Sequence, residues 1–99
     1  MHKPYKRYVV VRKRADWMRP VDERILETMR DEGNLTPQAL DDAFDVTAAN
    51  HAINRLSVLE EYGLVERISR GLYRITEDGE AFLNEKLDAS ELEPVESAE

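Results

Sequence analysis

The stretch TPQALDDAFDVTAANHAINRLSVLEEYGLVERISRGLYRI, residues 36–75, decides the fold. Its first part, residues 36–44, reads as a short helix. Thr36 can accept a hydrogen bond from an unpaired backbone N–H, and Pro37 suits the first helical position. Leu35 and Leu40 fall at the two positions of a hydrophobic staple. Leu40, Ala43 and Phe44 are expected to face the core, and Asp41, Asp42 and Asp45 water. Residues 45–47 form a turn. Residues 48–62 read as a longer helix, begun by Thr47, with Ala49, Ala52, Ile53, Leu56 and Leu59 on one apolar stripe. Its small alanines allow a close crossing with the helix before it. Gly63 ends the helix. Residues 64–68 and 72–75 then read as two short strands around Ser69, Arg70 and Gly71, where Gly71 can supply the positive φ of the turn.

The polar side of the longer helix carries Ala48, Asn50, His51, Asn54 and Arg55. Asn can pair with an adenine edge, Arg with guanine, and an alanine methyl with a thymine methyl. Taken alone, such a face is an ordinary solvated one. Its place after a helix and a short turn, and before a hairpin, favours a DNA-reading face that starts at Thr47. Arg67, Arg70 and Arg74 lie on or beside the hairpin, as phosphate contacts or a minor-groove probe. The plainer alternative is charge protecting a strand edge.

Charge is unevenly distributed around this unit. The 99 residues carry a net charge of −7, awkward for a DNA-binding chain. Yet residues 1–19 hold seven Lys/Arg against Asp16 alone, and the remainder seven against 20 acids. Such asymmetry suggests a basic nucleic-acid-facing arm on an acidic body. With only four lysines beside ten arginines, the acidic surface is also of the kind found in extreme halophiles. Molar salt screens exposed charges within about 3 Å, which reduces both repulsion from phosphate and the gain from counterion release.

Cysteine is absent, so disulfides, thiolate catalysis and cysteine-bound zinc are excluded. His2 and His51 alone do not make a histidine-rich metal site. No phosphate-cradling glycine loop and no second motif to complete a triad around His51 point to an enzyme. No apolar run approaches a membrane span, and a cytoplasmic location is expected. No cofactor or small-molecule ligand is implied.

The flanks complete the plan. Residues 1–15 are a basic arm or an edge strand: residues 8–11 have strand propensity, while Lys6, Arg7, Arg12, Lys13 and Arg14 could touch phosphates at any sequence. A first helix is predicted at residues 20–32, opened by Pro20 and closed by Gly33, with Val21, Ile25, Leu26 and Met29 inward and Asp22 and Glu23 at the positive end of its dipole. Trp17 is expected to cap this core. Thr76 can cap a last helix reaching about residue 87, with Phe82, Leu83 and Leu87 inward. Residues 88–99 hold five acids, no base and Pro94, the composition of a disordered tail.

The expected domain therefore spans residues 16–87. It is mainly α with a small antiparallel β-hairpin, an α+β winged helix-turn-helix. Its sequence also resembles a known family. LEEYGLV at 59–65 and GLYRITEDGE at 71–80 resemble the recognition-helix end, wing and following helix of winged helix-turn-helix transcription regulators. DWMRP at 16–20, DERILE at 22–27 and GNLTP at 33–37 look more specifically like haloarchaeal relatives of the phage phiH repressor. The resemblance covers residues 16–90 and implies a regulator of transcription that binds double-stranded DNA, often a repressor and often a homodimer. The dimer contact is expected from the last helix or from residues 8–11. The rival is a winged-helix module that binds protein and never DNA, since fold alone does not settle function.

Overall fold

The computed structural model describes residues 11–95. The elements come in the order α1 (Pro20–Glu32), α2 (Pro37–Asp42), α3 (Ala49–Glu61), β1 (Val65–Ser69), β2 (Leu72–Ile75) and α4 (Glu77–Leu83), followed by a 3-10 turn at Ala89–Glu91. This is a winged helix: three helices, a two-stranded antiparallel hairpin, and a fourth helix.

Local chemistry sets each boundary. The Thr36 hydroxyl accepts from Ala39 N–H at 3.0 Å, and Thr76 does the same for Gly79 N–H at 3.1 Å. Each satisfies a backbone donor that the first helical turn leaves unpaired. Asp45, in the turn between α2 and α3, has φ 52°, a left-handed conformation that Asp tolerates better than most residues. Asp41 does not face water as expected. Its Oδ2 accepts from Ala49 N–H at 3.1 Å, so α2 caps α3.

The core lies where α1, α2, α3 and α4 meet the hairpin. Ile25, Leu26, Leu40, Ala52, Leu56, Leu59, Leu64 and Phe82 are fully buried. Three apolar positions depart from expectation. Ala43 is exposed, Phe44 only half-buried, and Ile53 is 48% exposed. The reason for Ile53 is the rotation of α3 about its axis. The buried row is Ala52, Leu56 and Leu59, and Ile53 falls off its edge.

The wing also pairs with a residue outside the hairpin, which no periodicity signals. Leu35 and Tyr73 exchange two backbone hydrogen bonds of 3.0 Å, pinning the start of α2 to β2. Within the hairpin, Val65 opposes Ile75, Glu66 opposes Arg74 and Arg67 opposes Tyr73; a bulge then offsets the ladder at Ile68. Gly71 turns the tip with φ 70°.

The two flanks are more ordered than their composition suggests. Ala89 is fully buried, its N–H donates to Lys13 O at 2.9 Å, and Val95 N–H donates to Glu61 O. Residues 88–95 therefore strap the body, unlike the disordered tail expected over residues 88–99, of which residues 96–99 lie outside the described residues. Single small apolar residues, Ala89 and half-buried Leu92, anchor a segment whose overall composition is acidic. Residues 11–15 likewise pack onto the body through Ala15 and Arg12.

Candidate nucleic-acid interface

Helix α3 follows α2 after a tight turn and presents one face to solvent. Ala48, Asn50, His51, Ile53, Asn54 and Ser57 are exposed on it, while Ala52, Leu56 and Leu59 face inward. Thr47 is half-buried at the turn. Residues 49–59 contain no acid in a chain with 21 of them. Asn50 Oδ1 accepts from His51 N–H at 3.0 Å, and no hydrogen bond within the protein engages the Asn54 amide among the described residues.

Arg55 does not belong to this face. Its guanidinium turns inward, with Nε 2.8 Å from Asp22 Oδ1 and Nη2 2.8 Å from Asp22 Oδ2. The same Nη2 donates to Trp17 O at 3.0 Å. Asp22 is fully buried, and its Oδ2 also accepts from Arg19 N–H at 2.9 Å at the start of α1. The hydrogen bonds from Arg55 to Asp22 outweigh burial and hold the guanidinium pKa above its usual value. Arg55 is therefore withdrawn from base reading. A buried carboxylate needs a charge partner, and Arg55 is the cation that reaches it.

A second tie holds α3 in place. The Trp17 and Tyr62 rings stack with centroids 4.0 Å apart and planes within 5°. Trp17 thus caps the core as expected, by stacking on the residue just past α3. The Asp22–Arg55 fork, the Trp17 carbonyl and this stack together fix which face α3 turns outward.

The wing arginines divide. Arg67 and Arg70 are exposed, and neither forms an ion pair among the described residues. Arg74 hydrogen-bonds Glu66 Oε1 through Nε at 3.0 Å and Nη2 at 2.8 Å, in a shallow cleft that Glu77 and Glu80 also line. It sits on the opposite side of the hairpin from Arg67, because cross-strand partners share a face.

The basic segment divides as well. Lys6 and Arg7 lie outside the described residues. Arg12 is not a phosphate contact: its side chain is 8% exposed, pairs with Glu23 at 3.1 Å and with Glu27, and donates from Nε to Leu83 O at 3.0 Å. Burial works against its charge, but the hydrogen bonds to Glu27 and Glu23 prevail and raise its pKa. Arg14 pairs with Glu23 yet stays largely exposed, and Lys13 is exposed.

A helix-turn-helix whose second helix has an uncharged polar outer face over residues 49–59, followed by a basic hairpin tip, defines a winged helix-turn-helix protein. The chain belongs to the winged helix-turn-helix phage repressor family, whose model matches residues 11–95. Its structure is similar to the crystal structure of the PhiH1 repressor-like protein from Haloarcula marismortui, with a TM-score of 0.79 and 35% sequence identity over 86% of this chain and 98% of that one. Among curated proteins, none matches this chain. The family match runs over residues 11–95, past the expected 16–87 at both ends, and the described residues 11–15 and 88–95 pack on the body.

Proposed function

We propose that this chain is a sequence-specific regulator of transcription, acting as a repressor, with α3 in the major groove of double-stranded DNA. The observation that carries this reading is that α3 exposes no acid over residues 49–59, ahead of a hairpin whose Arg67 and Arg70 are exposed. Carboxylates placed against a groove would repel phosphate; the acids of α3 are confined to its last turn, Glu60 and Glu61. Amides and an imidazole at the start of a recognition helix match base edges. Membership of a phage repressor family and the likeness to a repressor-like protein agree with this role.

Arg67 and Arg70 are proposed to grip the backbone or enter the minor groove. Lys3, Lys6, Arg7 and Lys13 add contacts that do not depend on sequence. The acidic body suggests that the protein works at high salt. We further propose a homodimer, since one small module reads few base pairs and paired half-sites supply the missing specificity. Phe82 and Leu83 cannot form its contact, because both are buried within the chain. Val11, 59% exposed and adjoining residues 8–10, remains available.

The test is a map of where the tagged protein sits on its own genome in native salt, followed by binding to the recovered sites. Discrete sites that compete against random duplex support the reading. Occupancy without any shared sequence, together with co-purification of one protein partner, would establish the protein-binding alternative instead.

A further inference from the structure

With Arg55 committed to Asp22, the outward face of α3 has lost the one side chain suited to pairing with guanine. Over residues 48–57 what remains exposed is two amides, one imidazole, small residues and a large apolar side chain, Ile53, which is 48% exposed; Glu60 and Glu61 follow only in the last turn. Ile53 lies three residues beyond Asn50 and beside Asn54, with Ser57 one turn further on. The cations of the wing and of the N-terminal segment lie on other elements.

We propose that Ile53 is a specificity-determining residue that packs against a thymine C5-methyl group, and that the half-site is read mainly at A·T pairs. The inference rests on the DNA reading above and names what that face prefers. The major-groove edge of an A·T pair presents an acceptor and a donor on adenine, next to the thymine methyl. An Asn amide satisfies the first two in a bidentate pair, and an apolar side chain one helical turn away covers the third. Asn50 and Asn54 flank Ile53 in that arrangement, on one exposed side of one helix. A G·C pair offers no methyl to Ile53. It asks instead for a cation to match its two guanine acceptors, and α3 has none facing outward. Among the described residues, Ile53 belongs neither to the buried core nor to the partly buried apolar residues packed against it. Against a methyl, it gains by removing apolar surface from water.

The experiment uses the full chain and a pool of random duplexes, selected in high salt by wild-type protein. The best duplex is then remade with deoxyuridine replacing thymine at one position at a time, which deletes only the methyl. Wild type should lose about fourfold in affinity at one or two positions, the size expected for one buried methyl group. Ile53→Ala should bind the thymine duplex more weakly and show no further loss on uridine at those positions. Ile53 is exposed, so the variant should melt like wild type. A selected half-site lacking thymine overturns the proposal, as does an equal uridine penalty in both proteins or none in either. Failure to enrich any duplex rejects the DNA reading itself and this inference with it. The other three outcomes leave sequence-specific DNA binding standing while removing Ile53 from it.

Discussion

Arg55 on α3 and Asp22 on α1, 33 residues apart, meet in a two-bond fork of 2.8 Å contacts with the carboxylate fully buried. The pair locks the candidate recognition helix to the helix that opens the domain. Removing one member of a buried pair leaves the other uncompensated, which costs about 3–5 kcal/mol. Arg55→Ala should therefore lower unfolding free energy by about that amount in denaturant titration. Replacing both residues, as Asp22→Leu with Arg55→Met, should recover most of the loss. Arg55→Ala at full stability, with base preference relaxed, would return Arg55 to the DNA-reading face.

This pair also marks the limit of what the sequence discloses. Element order is legible because each boundary has a local cause: Thr36 and Pro37 open α2, Thr76 opens α4, and Gly71 turns the hairpin. The rotation of α3 is harder. Apolarity alone places Ile53 inside and Arg55 outside, and the structure has them the other way round. Ala52, Arg55, Leu56 and Leu59 follow the spacing i, i+3, i+4, i+7 of one helix face. Arg55 thus lies inside the buried row by spacing, and Ile53 outside it. A partner 33 residues away gives no periodic signal, so nothing local marks Asp22 as the reason. The same holds for Arg12, whose partners Glu23, Glu27 and Leu83 lie on two helices. By composition it is one more cation in a basic arm.

Gly79 makes a second stability prediction, with a sign opposite to the usual one. Gly to Ala within a helix ordinarily gains up to about 1 kcal/mol. At Gly79 an added Cβ would lie 2.6 Å from Ile75 Cγ1 and closer still to the Leu64 carbonyl oxygen. Neither neighbour can withdraw cheaply, one being backbone and the other a half-buried branched side chain. Gly79→Ala should destabilise by about 1–3 kcal/mol, as overpacking does. A thermal melt with Tm at or above wild type would show that α4 is free to move off the hairpin.

The wing arginines should separate in salt titrations of DNA binding. Arg67→Ala or Arg70→Ala should weaken binding similarly on all sequences and reduce the salt slope by about one unit each. Arg74→Ala should change the slope less, because Arg74 already hydrogen-bonds Glu66 and has Glu77 and Glu80 nearby. Equal slopes for all three variants would mean that Arg74 leaves Glu66 for phosphate when DNA arrives.

Two truncations distinguish the roles gathered in the basic N-terminal segment. Deleting residues 1–10 removes Lys3, Lys6 and Arg7 and leaves every described partner of Arg12 in place. Melting should not change, binding to all duplexes should weaken, and the salt slope should fall by about 0.9 for each phosphate no longer neutralised. Deleting residues 1–14 also removes Arg12, leaving Glu23 and Glu27 without that cation and the Leu83 carbonyl without its donor. It removes the Lys13 carbonyl that receives Ala89 N–H as well, so the residue 88–95 strap loses one of its anchors. This longer deletion should lower stability by about 1.5–3 kcal/mol or more, the size of a hydrogen-bonded charge removed from a partly buried site. Arg12→Ala in the full chain should reproduce much of that loss without changing the salt slope. Unchanged affinity after the short deletion would remove the DNA-contacting role of residues 1–10. Equal melting of the two truncated proteins would show that Arg12 and the strap do not hold the fold.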